Sequence, residues 1–476
     1  MIQKQTKIVC TIGPSTCSYE KLVELVEAGM DVCRLNFSHG THEAFADWIK
    51  LIRKVSKALG KPIAILQDLQ GPKIRVGELP KEGIQLKKGQ EIIFTTGKAK
   101  LPEKISVTYP LLHKDVRPGQ QLLLDDGLLS AEVVKVRGQD VVCKVTQGGP
   151  LTSHKGLNLP ETKTSISAIS DKDKDDLRFG IEQGVDWVAL SFVRSAEDLR
   201  ELRRLIQRFE RETGAAQDAP LKIIAKVEKP EAVDAMEEIV AESDAIMVAR
   251  GDLGIEIAAS KVPLVQKQLI QACLEAGKPV IVATQMLDSM IRNPRATRAE
   301  VSDVANAVID ETDATMLSGE TATGAFPIEA VKTMASAILE VENATQEGHD
   351  AHLHVTNSTQ EAMTNISVLL ARSRNAKAIL VSSLSGKAAR LVSRERPSVP
   401  IYVASSSERV VRQLALSRGV IPLHIPACRK MRDLIDRSFA MILKQGIVKT
   451  GDEIVIVAGE PLGESGNVNL VEVRKL

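Results

Sequence analysis

Aromatic residues are scarce, 3% of the chain with two tryptophans, so no stacking surface stands out. Charge of one sign is missing too: 62 Lys and Arg stand against 61 Asp and Glu, which removes the usual reason to expect a nucleic acid or an anionic membrane as partner. Any anion site must be built locally. No apolar run approaches the roughly 18 residues that span a bilayer, and the N-terminal MIQKQTKIVCTIGPSTC lacks the apolar centre of a signal peptide. The six cysteines, Cys10, Cys17, Cys33, Cys143, Cys273 and Cys428, form no CxxC pair. Several lie in apolar runs, which predicts reduced core residues and a cytoplasmic protein. There is no HExxH, GxSxG or GxxxxGK[ST] motif, so the standard zinc, serine-nucleophile and P-loop signatures are excluded.

What the sequence does have is alternation. Short β-branched runs, KIVCTIG (7–13), VCRLNFS (32–38), IAILQDL (63–69), WVALSFV (187–193), KIIAKVE (222–228), AIMVARGD (245–252), VIVATQ (280–285) and ATMLS (314–318), are separated by amphipathic segments. Among these are EKLVELVEAG, EDLRELRRLIQRFE and VQKQLIQACLEAG, the last ending at Gly277. Eight such units with strands apolar on both faces predict an α/β fold, a (β/α)8 TIM barrel rather than an open sheet. The barrel is expected in two parts, 1–70 and 169–344. Residues 71–168 carry no helix-length period but do carry hairpin signals, with turns at Pro118-Gly119 and Asp126-Gly127, and predict an inserted all-β lid domain. From 345 to 476 the chain starts again as a separate α/β domain.

The strand ends are the informative feature. Thr11 closes the first strand, Arg34, Asn36 and Ser38 the second, Asp68 the third and Ser191 the fourth; Lys226 and Glu228 close the fifth, Arg250 and Asp252 the sixth, Thr284 the seventh, Ser318 and Glu320 the eighth. Turn chemistry alone explains a Ser or an Asp. It does not explain two arginines and a lysine ending apolar strands, where an unpaired charge is costly. In a parallel barrel all these ends share one face, the face that carries the active site. Lys226 and Glu228 are two apart in a strand and therefore project together. Glu228 and Asp252, on adjacent strands, suit one hard divalent ion, since Mg2+ commonly takes one or two carboxylates plus substrate oxygens. Lys226 and Arg34, with backbone N–H groups of ARGDLG, would then face an anion. Cations, a divalent ion and no obvious nucleophile together describe phosphoryl transfer.

At this point KIVCTIGPST, VCRLNFSHG, LQDLQGPKIRVG, IIAKVEKPEAV, IMVARGDLGIE, IVATQMLDSMI, NPRATRAEVSDVANAV and MLSGETATGAFP together resemble the pyruvate kinase family, over essentially the whole chain. The resemblance implies phosphate transfer from phosphoenolpyruvate to ADP, giving pyruvate and ATP. Lys226, Arg34, Thr284 and Ser318 would be catalytic. Arg34, Lys226, Gly251, Asp252 and Thr284 would hold the substrate, and Glu228 with Asp252 the Mg2+, for which Mn2+ could substitute. Arg75 and Lys155 on the lid, with Pro14 and His39 on the barrel, would bind the nucleotide. Asn36, Ser38, Asp68 and the backbone of Leu69 match a family K+ site. Lys73, however, stands where potassium-dependent members resemble one another in carrying a glutamate, so K+ is expected to be dispensable. In the C-terminal domain, Ser382, Ser383, Ser385, Gly386 and Lys387 resemble a phosphate-binding effector loop. The last loop, GEPLGESGNVN, has Glu464 and no base, whereas family members that take fructose 1,6-bisphosphate resemble one another in basic or aromatic residues there, so the resemblance implies activation by a sugar monophosphate or AMP. The family also implies a homotetramer. Two rival readings stay open on the sequence: a Mg2+-dependent lyase or aldolase acting on pyruvate or phosphoenolpyruvate, and a catalytically silent binder of sugar phosphates.

Overall fold

The computed structural model describes residues 4–215, 217–345, 358–464 and 466–476. Eight parallel strands, Lys7–Thr11, Val32–Asn36, Ala64–Asp68, Trp187–Leu190, Lys222–Val227, Ala245–Ala249, Val280–Ala283 and Ala314–Leu317, close into a barrel in chain order, the first paired with both the second and the eighth. Alternate residues point inward. Val9, Val32, Leu66, Ala189, Ile224, Met247, Ile281 and Met316 fill the interior, while Cys10, Cys33, Ile65, Val188, Ile223, Ile246 and Val282 pack outward against the helices. Stepping two residues up the interior rows of the second to fifth and the eighth strands leads from Val32 to Arg34, from Leu66 to Asp68, from Ala189 to Ser191, from Ile224 to Lys226 and from Met316 to Ser318. The polar strand ends thus form the top layer of the barrel interior.

The helices obey their local signals. Tyr19–Ala28 is capped by the Ser18 side chain, and Val262–Ala276 ends at Gly277, whose φ of 63° lets its N–H turn back to Cys273 and Leu274 carbonyls.

Between the third and fourth barrel strands the chain runs out into an all-β lid. Its six-stranded sheet has the order Leu157–Asn158, Gln121–Leu124, Leu129–Arg137, Asp140–Gln147, Glu91–Thr95, Lys104–Ser106; Ile84–Leu86 pairs separately with Gly149–Leu151. Phe94, Leu122, Val133, Val141 and Leu157 belong to a core of the lid's own. Asp125, Asp126 and Gly127 all have positive φ, making the tight turn that the Asp-Gly pair signals. The four-residue helix Leu112–Asp115 went unanticipated, being too short to show a period.

The C-terminal sheet has the order Val420–His424, Ile401–Ser405, Ala378–Ser382, Glu453–Ala458, Leu470–Lys475, with only the last strand antiparallel. The expected domain start at 345 borders residues 346–357, which lie outside the described residues. This domain seals the barrel floor. Ala415 and Leu416, in the short turn Leu414–Leu416, join the interior cluster beneath Trp187 and Ile281. Around that plug, fully buried Asp186 accepts from Arg53 at 2.9 Å and Arg412 at 2.7 Å, and buried Asp313 pairs with Arg396 at 3.0 Å. Lys7, below Val9, donates to the Val420 carbonyl at 2.8 Å.

All six cysteines are free; Cys10, Cys33, Cys143 and Cys273 are buried, whereas Cys17 and Cys428 are half-exposed rather than core. Among the described residues no helix is long and apolar enough to cross a membrane.

Candidate active site

The upper ends of the second to fifth strands gather two cations and two carboxylates. Arg34 Nε donates to Asp68 Oδ2 at 2.7 Å, and Arg34 Nη1 to Thr11 Oγ1 at 2.9 Å. Lys226 Nζ donates to Ser191 Oγ at 2.6 Å and lies 3.0 Å from Glu228 Oε1 and 3.2 Å from Asp68 Oδ1. The other Glu228 oxygen accepts the Phe192 N–H at 2.8 Å. Phe192 donates from φ 57°, a strained conformation for a bulky residue.

Burial sets the electrostatics. It disfavours the Lys226 ammonium, but Asp68 and Glu228 outweigh it and hold the pKa above the ordinary lysine range. For Asp68 the order is the same: burial opposes, Lys226 and Arg34 prevail, and the carboxyl stays below its usual range. Glu228 goes the other way. Burial, reinforced by the Asp252 charge and only partly offset by Lys226, pushes it up to about 7. With Asp252 the cluster sets three carboxylates, Asp68, Glu228 and Asp252, against the two cations Arg34 and Lys226. Asp252, half-buried, makes no hydrogen bond or ion pair with the described residues. A buried carboxylate pushed toward protonation beside an unpaired one is a donor set that fits a hard divalent ion, although no group of three or more metal-ligating side chains occurs among the described residues. One HxH pair, His352 and His354, lies outside them.

The sixth and seventh strands close the other side. Gly251 and Asp252 open the short helix Arg250–Glu256. The Gly251 N–H, expected to face an anion, donates to Thr284 Oγ1 at 2.7 Å, and that hydroxyl donates to the Ala283 carbonyl at 2.6 Å. Thr284 and Gln285 both have positive φ, at 70° and 54°. Arg250 is structural: its guanidinium holds Asp303 at 2.7 Å and the Thr284 carbonyl at 2.8 Å. Ser318 has its N–H on Glu320 Oε2 at 2.7 Å, and Glu320 also takes the Leu287 N–H at 3.1 Å.

Of the four residues matched to a K+ site, Asn36 sits opposite Asp68 in the sheet and accepts the Ser38 N–H at 3.2 Å. The Asp68 oxygens face Arg34 and Lys226, and the Leu69 carbonyl accepts Ser191 Oγ at 2.7 Å. Lys73 reaches into an open cleft of about 920 Å³ also lined by Asp126, Gly251 and Asp252; its ammonium has no partner among the described residues. On the lid, Arg75 pairs with Gly156 in an isolated bridge and donates to the His154 carbonyl at 2.9 Å, beside Lys155, which pairs with Asp125 at 2.7 Å. Pro14 and His39 are exposed on the barrel side; no hydrogen bond or ion pair among the described residues joins them to the lid pair. Far from all of this, Ser382, Ser383 and Ser385 line a pocket closed by Glu464, Gly466 and Asn467. Gly386, φ 75°, caps the helix Lys387–Arg394 next to them.

Sequence reasoning missed three contributors. Ser191 stood among the strand ends without a role, and nothing in the sequence linked Phe192 to Glu228 or Glu256 to the lid.

A family model for the pyruvate kinase barrel domain matches residues 3–331, and one for the pyruvate kinase alpha/beta domain matches residues 361–474. Curated pyruvate kinases of Geobacillus stearothermophilus and Staphylococcus aureus (strain MRSA252) are 46% and 45% identical, each over 99% of this chain and 80% of their own. A crystal structure of a pyruvate kinase from Cryptosporidium parvum superposes with a TM-score of 0.92 at 37% identity, covering 99% of this chain and 96% of that one. With fold, strand-end chemistry and near full-length relatives in agreement, the chain belongs to the pyruvate kinase family and is a phosphotransferase.

Proposed function

We propose that the barrel-top cluster moves the phosphoryl group of phosphoenolpyruvate to ADP, with one divalent ion held by Glu228 and Asp252. The P–O bond to the enol oxygen breaks, a P–O bond to the terminal ADP oxygen forms, and the enolate carbon takes a proton to give pyruvate. The observation that carries this reading is the buried Lys226, kept charged by Asp68 and Glu228. Lys226 and Arg34 neutralise charge on the phosphoryl group in flight. Gly251, Asp252 and Thr284 seat the substrate carboxylate, the Gly251 N–H exchanging its bond to Thr284 for one to substrate. Thr284 and Ser318 line the route of the proton. Arg75 and Lys155, with Pro14 and His39, take the nucleotide. When bound, Mg2+, or Mn2+ in its place, supplies positive charge to the phosphoryl and enolate oxygens.

Lys73 supports a finer reading, activity without K+. Its unpartnered ammonium borders the same cleft as Asp252, and Asp68 of the family K+ site already faces two cations. The effector pocket, hydroxyl-rich and lined by Glu464 rather than a base, supports activation by a sugar monophosphate or AMP. We take the enzyme to act as a cytoplasmic homotetramer, as its family implies.

The test is pyruvate formation from phosphoenolpyruvate, ADP and Mg2+, with K+ titrated upward from a K+-free, Na+-free buffer. Full activity at zero K+ supports the kinase and the role of Lys73 as a built-in cation. Activity only with K+ keeps the kinase and removes the role of Lys73. No activity at any K+, with sugar phosphates present, overturns the assignment.

A further inference from the structure

One carboxylate oxygen ties the lid to two segments that leave the adjacent fifth and sixth barrel strands. Glu256 ends the short helix that begins with Arg250, Gly251 and Asp252, and its side chain is buried. Its Oε1 accepts Lys229 Nζ at 2.6 Å and Asn158 Nδ2 at 2.8 Å, while Oε2 has no partner. Lys229 directly follows Glu228 and precedes the helix Pro230–Asp234. Asn158 belongs to the lid: with Leu157 it forms the strand that pairs with Leu123 and Leu124 of the lid sheet.

Asn158 also lies at the lid's hinge. The chain enters the lid through 71–76 and leaves it through 155–160, and the two passages are stitched to each other. The Val76 N–H donates to the Lys155 carbonyl and the Leu157 N–H to the Ile74 carbonyl, both at 2.9 Å, with Arg75 opposite Gly156 between them. The two lid cations assigned to the nucleotide, Arg75 and Lys155, are thus carried by the stitched pair itself. A Cβ built on Gly156 would lie 3.4 Å from Lys73 Cε and 3.9 Å from both Asn158 Oδ1 and Asp126 Oδ1, so Lys73 and Asp126, which line the cleft, come close to Asn158 at this point. The lid turn at Gly127 faces the same short helix: a Cβ built on that glycine would lie 3.9 Å from Ile255 Cγ2.

We propose that Glu256 is a positioning residue: through Asn158 it fixes the angle of the lid hinge, and through Lys229 and its own helix it keys that angle to Glu228 and Asp252. The inference rests on the nucleotide-binding role proposed for the lid. A buried carboxylate with one doubly engaged and one orphaned oxygen is an expensive device for packing alone; as a strut between two bodies it sets a distance that apolar contact leaves loose.

Two variants test it, each with a readout independent of turnover. Asn158→Ala removes the lid strut and leaves the Lys229–Glu256 pair intact, so no charge is orphaned; Glu256→Gln keeps the size but loses the charge that strengthens both bonds. Hydrogen exchange at the Val76 and Leu157 amides, measured without substrates, should speed up about tenfold in both. The KM for ADP should rise about five- to tenfold while the KM for phosphoenolpyruvate stays within about twofold. Unchanged hinge exchange overturns the proposal, as does a rise in both KM values together, which a purely structural role in the barrel would give. If the wild-type chain formed no pyruvate, the functional assignment would fall, and the exchange measurement would still decide whether Glu256 holds the hinge.

Discussion

Replacing Lys226 by Met separates the two duties of its ammonium. In the folded protein it lies 3.0 Å from Glu228 and 3.2 Å from Asp68, with a 2.6 Å bond to Ser191. Removing one partner of a buried ion pair costs about 3–5 kcal/mol; Asp68 keeps Arg34 at 2.7 Å, so the loss falls mainly on Glu228 and the low end of that range is expected. The catalytic loss is separate. A single preorganised donor is worth about 10²- to 10³-fold in rate, and a unit charge about 4 Å from the phosphoryl group contributes about 4 kcal/mol at an effective dielectric of 20. Together these place kcat for Lys226→Met at least about 10³-fold below wild type. The assay is lactate-dehydrogenase-coupled pyruvate formation at saturating substrates, with a urea melt on the same preparation. Lys226→Arg keeps the charge but not the compact point donor and should fall between the two. A folded Lys226→Met enzyme within about tenfold of wild-type kcat would refute the assignment of Lys226 to the transition state.

Lys73→Glu should make the enzyme depend on K+, read as activity at zero and at saturating K+; equal activity in both would remove the built-in cation. Replacing Ser382, Ser383 and Ser385 by alanine should abolish activation by sugar monophosphates and AMP without altering activity measured in their absence; activation that persists would place the effector elsewhere. Lys7, buried at the domain junction, has its pKa lowered to about 8 by burial, with Lys4 and Lys61 acting in the same direction and Asp31 and Glu342 against. A lysine depressed in the folded state binds fewer protons there than when unfolded, so its contribution to stability rises with pH. Between pH 7 and 9 the wild type should gain about 1 kcal/mol on Lys7→Met in denaturant unfolding; a difference that stays flat with pH would mean Lys7 titrates normally.

Much of the site was legible because a parallel barrel converts sequence position into height. A period of two along each strand fixes which side chains face inward, so Ile224, Lys226 and Glu228 could be read as one ascending row. Pairing across strands was not legible. That Lys226 would share Ser191 and Asp68 depends on neighbouring strand registers, and that Arg250 would turn to Asp303 rather than to an anion depends on a helix 53 residues further on. Phe192 at positive φ carries no compositional mark, since the residue is one that normally avoids this conformation. The lid hairpins announced themselves through Asp-Gly and Pro-Gly turns, whereas the Glu256 tie joins residues nearly a hundred positions apart.

The plug in the barrel floor sets the modularity of the chain. The lid carries its own core and is attached through two adjacent passages, so it can lengthen, shrink or be exchanged while the barrel persists. The C-terminal domain has no such independence. Its Ala415 and Leu416 complete the barrel's interior, and its Arg412 and Arg396 neutralise Asp186 and Asp313 beneath it. Cutting the chain before this domain would leave an open apolar bore ringed by buried acids. The C-terminal domain and the barrel are in this sense a single heritable unit: the residues lining the Ser382 pocket can be remodelled, but the domain that bears them also closes the barrel floor.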